Sequence, residues 1–449
     1  GGLELCGIGG ASVPWAAAQQ MGKLVDDLNR LSAFAAQGNI LKKGKIADAD
    51  AFLQGDVTKA RLIARHPTSE FVAKHYEVVR ELGRGSFSHV SLVRDRRTGH
   101  ERVCKVVSTE NMTPHVLELT RTEIQVLAAL DHPSIVKLYE YSDDTVNKKL
   151  VLILEYISGG DCGGLLEESD KTLSEGRVAR LVRQLLIAVS YCHACGVVHR
   201  DIKPQNMMLT KSLGAWGSPN LKLIDFGLAA RMDRSRDFVG TPAYMPPEVL
   251  AGAVDHTSKV DIWSIACTAI ELLAGEPPFS RPEDFDGDME PVFENIRGFN
   301  SFEDVEATLD ESPCWSGRSE QAKDFVRQML KADPSRRPSA LEALNHPWIE
   351  DNQPKSVGLS ADMLRSMTEY AMAPELLRSC MRALAARTGI SEDARVGAAF
   401  ADLAEDDRGT ISQEDLVDAL ANVTTCGWGQ ADIDVGRIFA AVDLQRAGR

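Results

Sequence analysis

From Tyr76 onward the chain sets short apolar runs between glycine and polar breaks. Tyr76–Leu82, Val90–Arg94 and Val103–Val107 are rich in β-branched residues and separated by Gly and Arg-Thr-Gly turns, a pattern that predicts antiparallel strands. Thr120–Leu130 repeats apolar residues at helical spacing and stops before Asp131-His132-Pro133, where proline ends a helix. Leu150–Tyr156 is a continuous apolar run, expected as a buried strand, and Ser158-Gly159-Gly160 follows it. Beyond that linker Gly176–Cys192, Ser258–Leu273 and Glu320–Leu330 carry apolar stripes of period 3.6. Strands first and helices after predict an α+β fold, a small sheet lobe joined to a larger helical lobe.

The flanks have a different texture. Residues 1–75 mix Ala, Gly and charges around short helical patterns such as Met21–Leu31 and are expected to be a partly ordered extension. Residues 355–390 and 391–449 are again helical in pattern, and taken together they are richer in acids than bases. No apolar run is long enough to span a bilayer. A chain that starts at Gly1 is expected to be a fragment or a processed product, which leaves a lipid anchor at the natural start unassessed.

The net charge of -15 argues against broad nucleic-acid binding and suits a cytoplasmic protein. Nine cysteines without regular spacing read as free thiols, and the isolated pair Cys192 and Cys195 reads as helix packing, not redox or metal chemistry.

Chemistry concentrates in four places. Gly83-Arg84-Gly85-Ser86-Phe87-Ser88-His89-Val90 is a glycine loop between two strands, of the kind that brings backbone amides close to phosphate oxygens. Lys105 follows on the next strand, within reach of a nucleotide under that loop, and Glu123 on the following helix offers it an ion pair. His199-Arg200-Asp201-Ile202-Lys203-Pro204-Gln205-Asn206 comes next, then Asp225-Phe226-Gly227 at the end of the apolar run Leu221–Ile224. Each motif alone is weak; in this order and spacing they resemble the eukaryotic protein kinases over about Tyr76 to Ile349.

That resemblance implies a two-lobed protein-kinase fold, spanning 76–349, that uses ATP and magnesium to phosphorylate protein substrates. It assigns Asp201 to accept the proton of the substrate hydroxyl and Lys203 to neutralise the transferred phosphoryl group. Lysine two places after the aspartate is similar to the serine/threonine branch. Leu82, Gly83, Gly85, Ser86, Val90, Lys105, Glu155 and Asp161 would surround ATP, while Asn206 and Asp225 would hold magnesium. Glu248 of Pro246-Pro247-Glu248 would pair with Arg337, and Asp261 would brace the catalytic loop. Ser88, Cys104 and Pro246 depart from the family pattern without removing a needed charge. A nucleotide-binding scaffold with weak or absent transfer is the competing reading.

Expectations about regulation and substrate choice follow from the resemblance. Arg200, beside the catalytic aspartate, would need an anion, and Asp237 stands where a phosphorylated residue often does, so the kinase would be primed without modification of Ser235 or Thr241. Asp161 would favour a basic residue before the target, although Gln205 replaces a common glutamate. The C-terminal stretch Phe400–Leu416 resembles an EF-hand, with Gly409 at the turn, and makes the chain similar to the calcium-dependent protein kinases. Asp406 and Asp415 are its acids, but Ala404 and Arg408 occupy ligand positions, so calcium there is doubtful. Asp443-Leu444-Gln445-Arg446-Ala447-Gly448 opens a second such loop, whose closing acid would follow Arg449. The apolar stripe from Met363 to Leu384, interrupted by Pro374, is either packing or an autoinhibitory junction.

Overall fold

The structure is a computed structural model. It describes residues 63–352 apart from 86, 170–171, 211–219, 232–238, 253–256, 280–288 and 311, together with 367, 369–373, 378 and 438. The Met21–Leu31 pattern, Ser86, Ser235, Asp237, the EF-hand-like acids Asp406 and Asp415, the second loop at 443–448 and nearly all of the 355–390 junction lie outside the described residues.

A six-stranded sheet forms the first layer. Its strands are β1 (Ala64–His66), β2 (Tyr76–Arg84), β3 (Ser88–Asp95), β4 (Glu101–Ser108), β5 (Leu138–Asp144) and β6 (Lys149–Glu155), arranged β1-β5-β6-β4-β3-β2. β1 runs parallel to β5, and the other neighbours are antiparallel. The apolar run at 150–156 is explained by burial on both faces of β6. Leu150 and Leu152 join the main core with Ile124 and Leu127 of α2 (Pro114–Ala129). Val151 and Ile153 turn the other way, into a smaller core with Phe71 of α1 (Phe71–His75) and Tyr76. Residues 63–75 of the extension thus complete this lobe. β5 had no sequence signal, because Glu140, Ser142 and Asp144 occupy its buried positions.

Helices build the second layer. α3 (Cys162–Glu168) follows the linker, and α4 (Glu175–Ala194) buries an apolar stripe from Val178 to Cys192. α5 (Lys259–Ala274) is buried from Val260 to Ala274, and Gly275 at φ +96° caps its end. A helix apolar all round belongs at the centre of a layer, and Trp263 stacks there on Phe279 with centroids 5.3 Å apart. Arg337 makes two hydrogen bonds to Glu248, of 2.6 and 2.8 Å, as the sequence suggested. Its guanidinium also covers the Trp263 ring. Cys192 is buried and Cys195 exposed, and both are free thiols.

Two small antiparallel ladders sit between the layers. β7 (Val197–Val198) pairs with β10 (Ala230–Arg231), and β8 (Met207–Leu209) pairs with β9 (Leu221–Leu223). Both connect the segment around Asp201 to the segment around Asp225.

Candidate active site

The register of β8 and β9 brings the two key segments side by side. Met207 lies opposite Leu223, and the Ile224 amide donates to the Asn206 carbonyl at 3.0 Å, so Asn206 and Asp225 flank the end of one ladder. Asp225 then adopts φ +59°, in the left-handed region, and its Oδ1 accepts from Gly227 N at 3.4 Å. Asp residues tolerate that region because a short side chain can bond the local backbone. Phe226, fully buried, packs edge-on against His199.

Arg200 is also in the left-handed region, at φ +67°. Asp261 on α5 holds this turn by accepting from His199 N at 3.0 Å and Arg200 N at 2.8 Å, while the His193 ring lies 2.8 Å away. Burial pushes the Asp261 carboxyl upward, but the His193 and backbone partners outweigh it, so the group stays below the usual carboxylate range. His199 accepts from Asp201 N at Nδ1, which fixes Nε2 as the donor to the Ile224 carbonyl at 3.0 Å.

Asp201 is gripped from three sides. Thr241 Oγ1 donates to its Oδ1 at 2.6 Å, and Lys203 Nζ and Asn206 Nδ2 donate to its Oδ2 at 2.9 Å each. Lys203 also donates to Thr241 Oγ1 at 2.6 Å. Burial raises the Asp201 carboxyl, yet the Thr241 and Lys203 bonds prevail and its pKa lies below the ordinary value. Asp201 is therefore ionised at neutral pH and able to accept a proton or hydrogen bond. Thr241 entered the sequence reading only as a candidate modification site; nothing in its spacing marked it as a partner of Asp201. Gly240 permits the approach: its φ is +125°, and a Cβ there would fall 2.8 Å from the Arg200 carbonyl.

The sheet supplies the opposing charges. Lys105 on β4 donates to both carboxylate oxygens of Glu123 on α2, at 2.8 and 3.0 Å, and its Nζ lies 3.7 Å from Asp225 Oδ1. Burial alone would lower the Lys105 pKa, but Glu123 and then Asp225 hold it above the usual lysine value. Gly85 N donates to Ser88 O at 2.8 Å, and a Cβ on Gly85 would meet Ser88 Oγ at 2.8 Å, so a larger residue there would need the Ser88 side chain to rotate away. Leu82 is exposed on β2, and Val90 on β3 pairs with Lys105.

Two residues expected around a nucleotide have their side chains engaged elsewhere. Glu155 accepts from buried Lys222 at 3.0 Å and from the Lys137 amide, which turns its carboxylate to a structural job. Asp161 caps α3, accepting from Gly164 N at 2.9 Å. Arg200 donates from Nε to the Leu228 carbonyl at 2.6 Å; its expected partner Asp237 lies outside the described residues.

Could the site take magnesium? Asn206 spends its amide hydrogens on Asp201, leaving Oδ1 as its ligating end, and the Asp225 carboxylate is half exposed beside Lys105. Hard carboxylate and amide oxygens are what magnesium prefers. The donor set fits.

Comparison with known proteins agrees with this geometry. The family described as protein kinase domain matches residues 76–349. Calcium-dependent protein kinase 9 of Oryza sativa subsp. japonica is 32% identical over 416 residues, covering 90% of this chain and 66% of the rice protein. Calcium-dependent protein kinase 33 of Arabidopsis thaliana is 31% identical over 395 residues, covering 84% of this chain and 70% of that protein. Myosin light chain kinase A of Dictyostelium discoideum is 35% identical over 286 residues, 63% of this chain and 90% of its own length. The chain thus spans about two thirds of its calcium-dependent relatives. Its ordered motifs, its two-lobed fold and the extent of these matches together place the chain in the protein kinase family, where it resembles the calcium-dependent protein kinases.

Proposed function

We propose that the chain transfers the γ-phosphoryl group of ATP to serine and threonine hydroxyls of proteins. The observation that carries this reading is the grip on Asp201 by Thr241, Lys203 and Asn206, with Asp225 one ladder away and the Lys105–Glu123 pair intact. Asp201 accepts the substrate proton and orients the hydroxyl, Lys203 faces the charge moved in transfer, and Lys105 holds the nucleotide phosphates. Asn206 and Asp225 would hold magnesium, which supplies neutralising charge to the phosphates when bound. Asp201→Asn should lower kcat on a generic basic peptide by about 10²–10⁴-fold. Retention of more than a tenth of wild-type turnover by that variant, or a wild type that binds ATP without turning it over, would favour the scaffold reading instead.

Calcium dependence is stated in the names of the rice and Arabidopsis relatives. For this chain we place no calcium at 404–415, because Arg408 stands between the acids Asp406 and Asp415. Calcium titration of activity tests that assignment, and a half-maximal response abolished by Asp415→Ala would overturn it. Regulation through the junction is the remaining proposal: removing everything after Ile349 should raise activity several-fold, and unchanged activity sinks it.

A further inference from the structure

The sheet lobe carries a second cluster of ligating side chains, at the edge opposite β2. His66 ends β1, His75 ends α1, and Glu140 lies on β5. The parallel register sets Ala64 opposite Glu140 and His66 opposite Ser142, so His66 and Glu140 share a face of the sheet as diagonal neighbours. Their side chains meet, with His66 Nε2 3.0 Å from Glu140 Oε2. One donor atom from each of His66, His75 and Glu140 lies within 4.8 Å of the others, and this is the one such cluster among the described residues. Neighbouring ligands in a tetrahedron of zinc bonds are about 3.3 Å apart. Small side-chain movements would close the difference.

Several features distinguish the cluster from ordinary packing. His75 Nδ1 is buried with no hydrogen-bond partner, an arrangement that native structures seldom leave uncompensated. Phe71 stacks on the His66 ring with centroids 3.9 Å apart and planes 6° from parallel, fixing its aim. Arg97 donates to Glu140 Oε1 at 2.8 Å, the oxygen not facing His66, and so orients the carboxylate from behind as outer partners of metal ligands do. Arg97 also pairs with Asp95 at 2.7 Å, so one guanidinium is shared between the two carboxylates. The His66 and Glu140 side chains are 20% and 11% exposed, which leaves a way in for an ion and a water as fourth ligand.

We propose that His66, His75 and Glu140 form a binding site for a divalent transition metal of zinc's type. Two imidazoles and one carboxylate suit such an ion and poorly suit calcium or magnesium, which favour all-oxygen sets. Bound there, the ion would tie β1 and the end of α1 to β5, immediately before β2 begins at Tyr76. It would couple the segment preceding the glycine loop to the sheet without touching the transfer site.

The test is titration of chelator-treated full-length protein with zinc chloride, and separately with cobalt(II) chloride. Wild type should take up one equivalent more than His75→Asn, show a tetrahedral cobalt spectrum that His75→Asn lacks, and gain about 3 °C or more in Tm that the variant does not. His66→Ala should weaken zinc at least about tenfold. Equal stoichiometry and equal Tm shifts in wild type and His75→Asn would overturn the proposal. Circular dichroism checks that the variants fold. If they do not, ¹⁵N spectra of the wild-type imidazoles decide: zinc should shift the His66 and His75 ring nitrogens, and unmoved signals would overturn the site.

Discussion

Strand β2 and helix α5 both serve the site, and they are built in opposite ways. After Tyr76 every residue of β2 is exposed, Val78 and Leu82 included, and the strand is held by its ladder to β3. In α5 every residue after Lys259 is buried. The roof over the nucleotide position rests on backbone hydrogen bonds; the floor beneath Asp201 rests on close-packed apolar surface and a buried carboxylate. Substitutions in the floor should therefore reach stability and turnover together, whereas those in the roof should reach nucleotide affinity alone.

The largest effect is expected at Asp261, whose loss leaves buried amides of His199 and Arg200 unpaired beside a left-handed turn. Asp261→Ala should destabilise by about 3–5 kcal/mol in urea titration and abolish most turnover. A loss under about 1 kcal/mol would break the contrast.

A second test uses pH. Burial, partly offset by the Tyr244 hydroxyl that donates to it at 2.5 Å, raises the Glu271 carboxyl to about 7. The folded state then keeps a proton that the unfolded chain releases above the usual 4.5. Stability from this group is full below that value and falls as pH rises toward and through 7. Glu271→Gln should flatten that decline, by on the order of 2–3 kcal/mol between pH 4.5 and 8 in the wild-type-minus-variant difference. Parallel curves for the two proteins would show that the floor does not bury this charge.

Thr241 joins the floor to the transfer site, and its removal should act on turnover more than on folding. Thr241→Ala should lower kcat about ten- to a hundredfold, roughly 1–3 kcal/mol of barrier, with the KM for ATP within about threefold and with rescue by Thr241→Ser. A change in KM alone would place Thr241 with the roof. The smallest effect is expected at Ser88, on β3 beside the loop: Ser88→Gly should move stability by no more than about 0.5 kcal/mol while changing the KM for ATP. A large stability change there would mean that the Gly85–Ser88 closure carries the lobe.

Legibility in the sequence followed the same division. The apolar stripe of α5 and the continuous run that became β6 were plain, because burial on several sides demands mostly apolar residues. β5 was hidden by Glu140, Ser142 and Asp144, and two of these meet partners far back in the chain: Asp144 accepts from Ser69 N, 75 positions earlier, and Glu140 meets His66, 74 positions earlier. Lys105, Glu123, Asp201 and Asp225 were readable as ordered charges. Thr241 and the structural use of Glu155 and Asp161 were not, since a side chain's partner is set by where the chain returns.

By itself the sequence determined the apolar strands and helices that build the two lobes and the identity of the charges required for phosphoryl transfer, because those depend on residue type and local spacing. Tertiary structure alone decided which groups meet: Thr241 on Asp201 across 40 positions, Lys222 on Glu155 across 67, and two histidines with Glu140 at the sheet edge. Hydrogen bonds and ligand sets act over about 3 Å, and only the folded chain fixes distances on that scale.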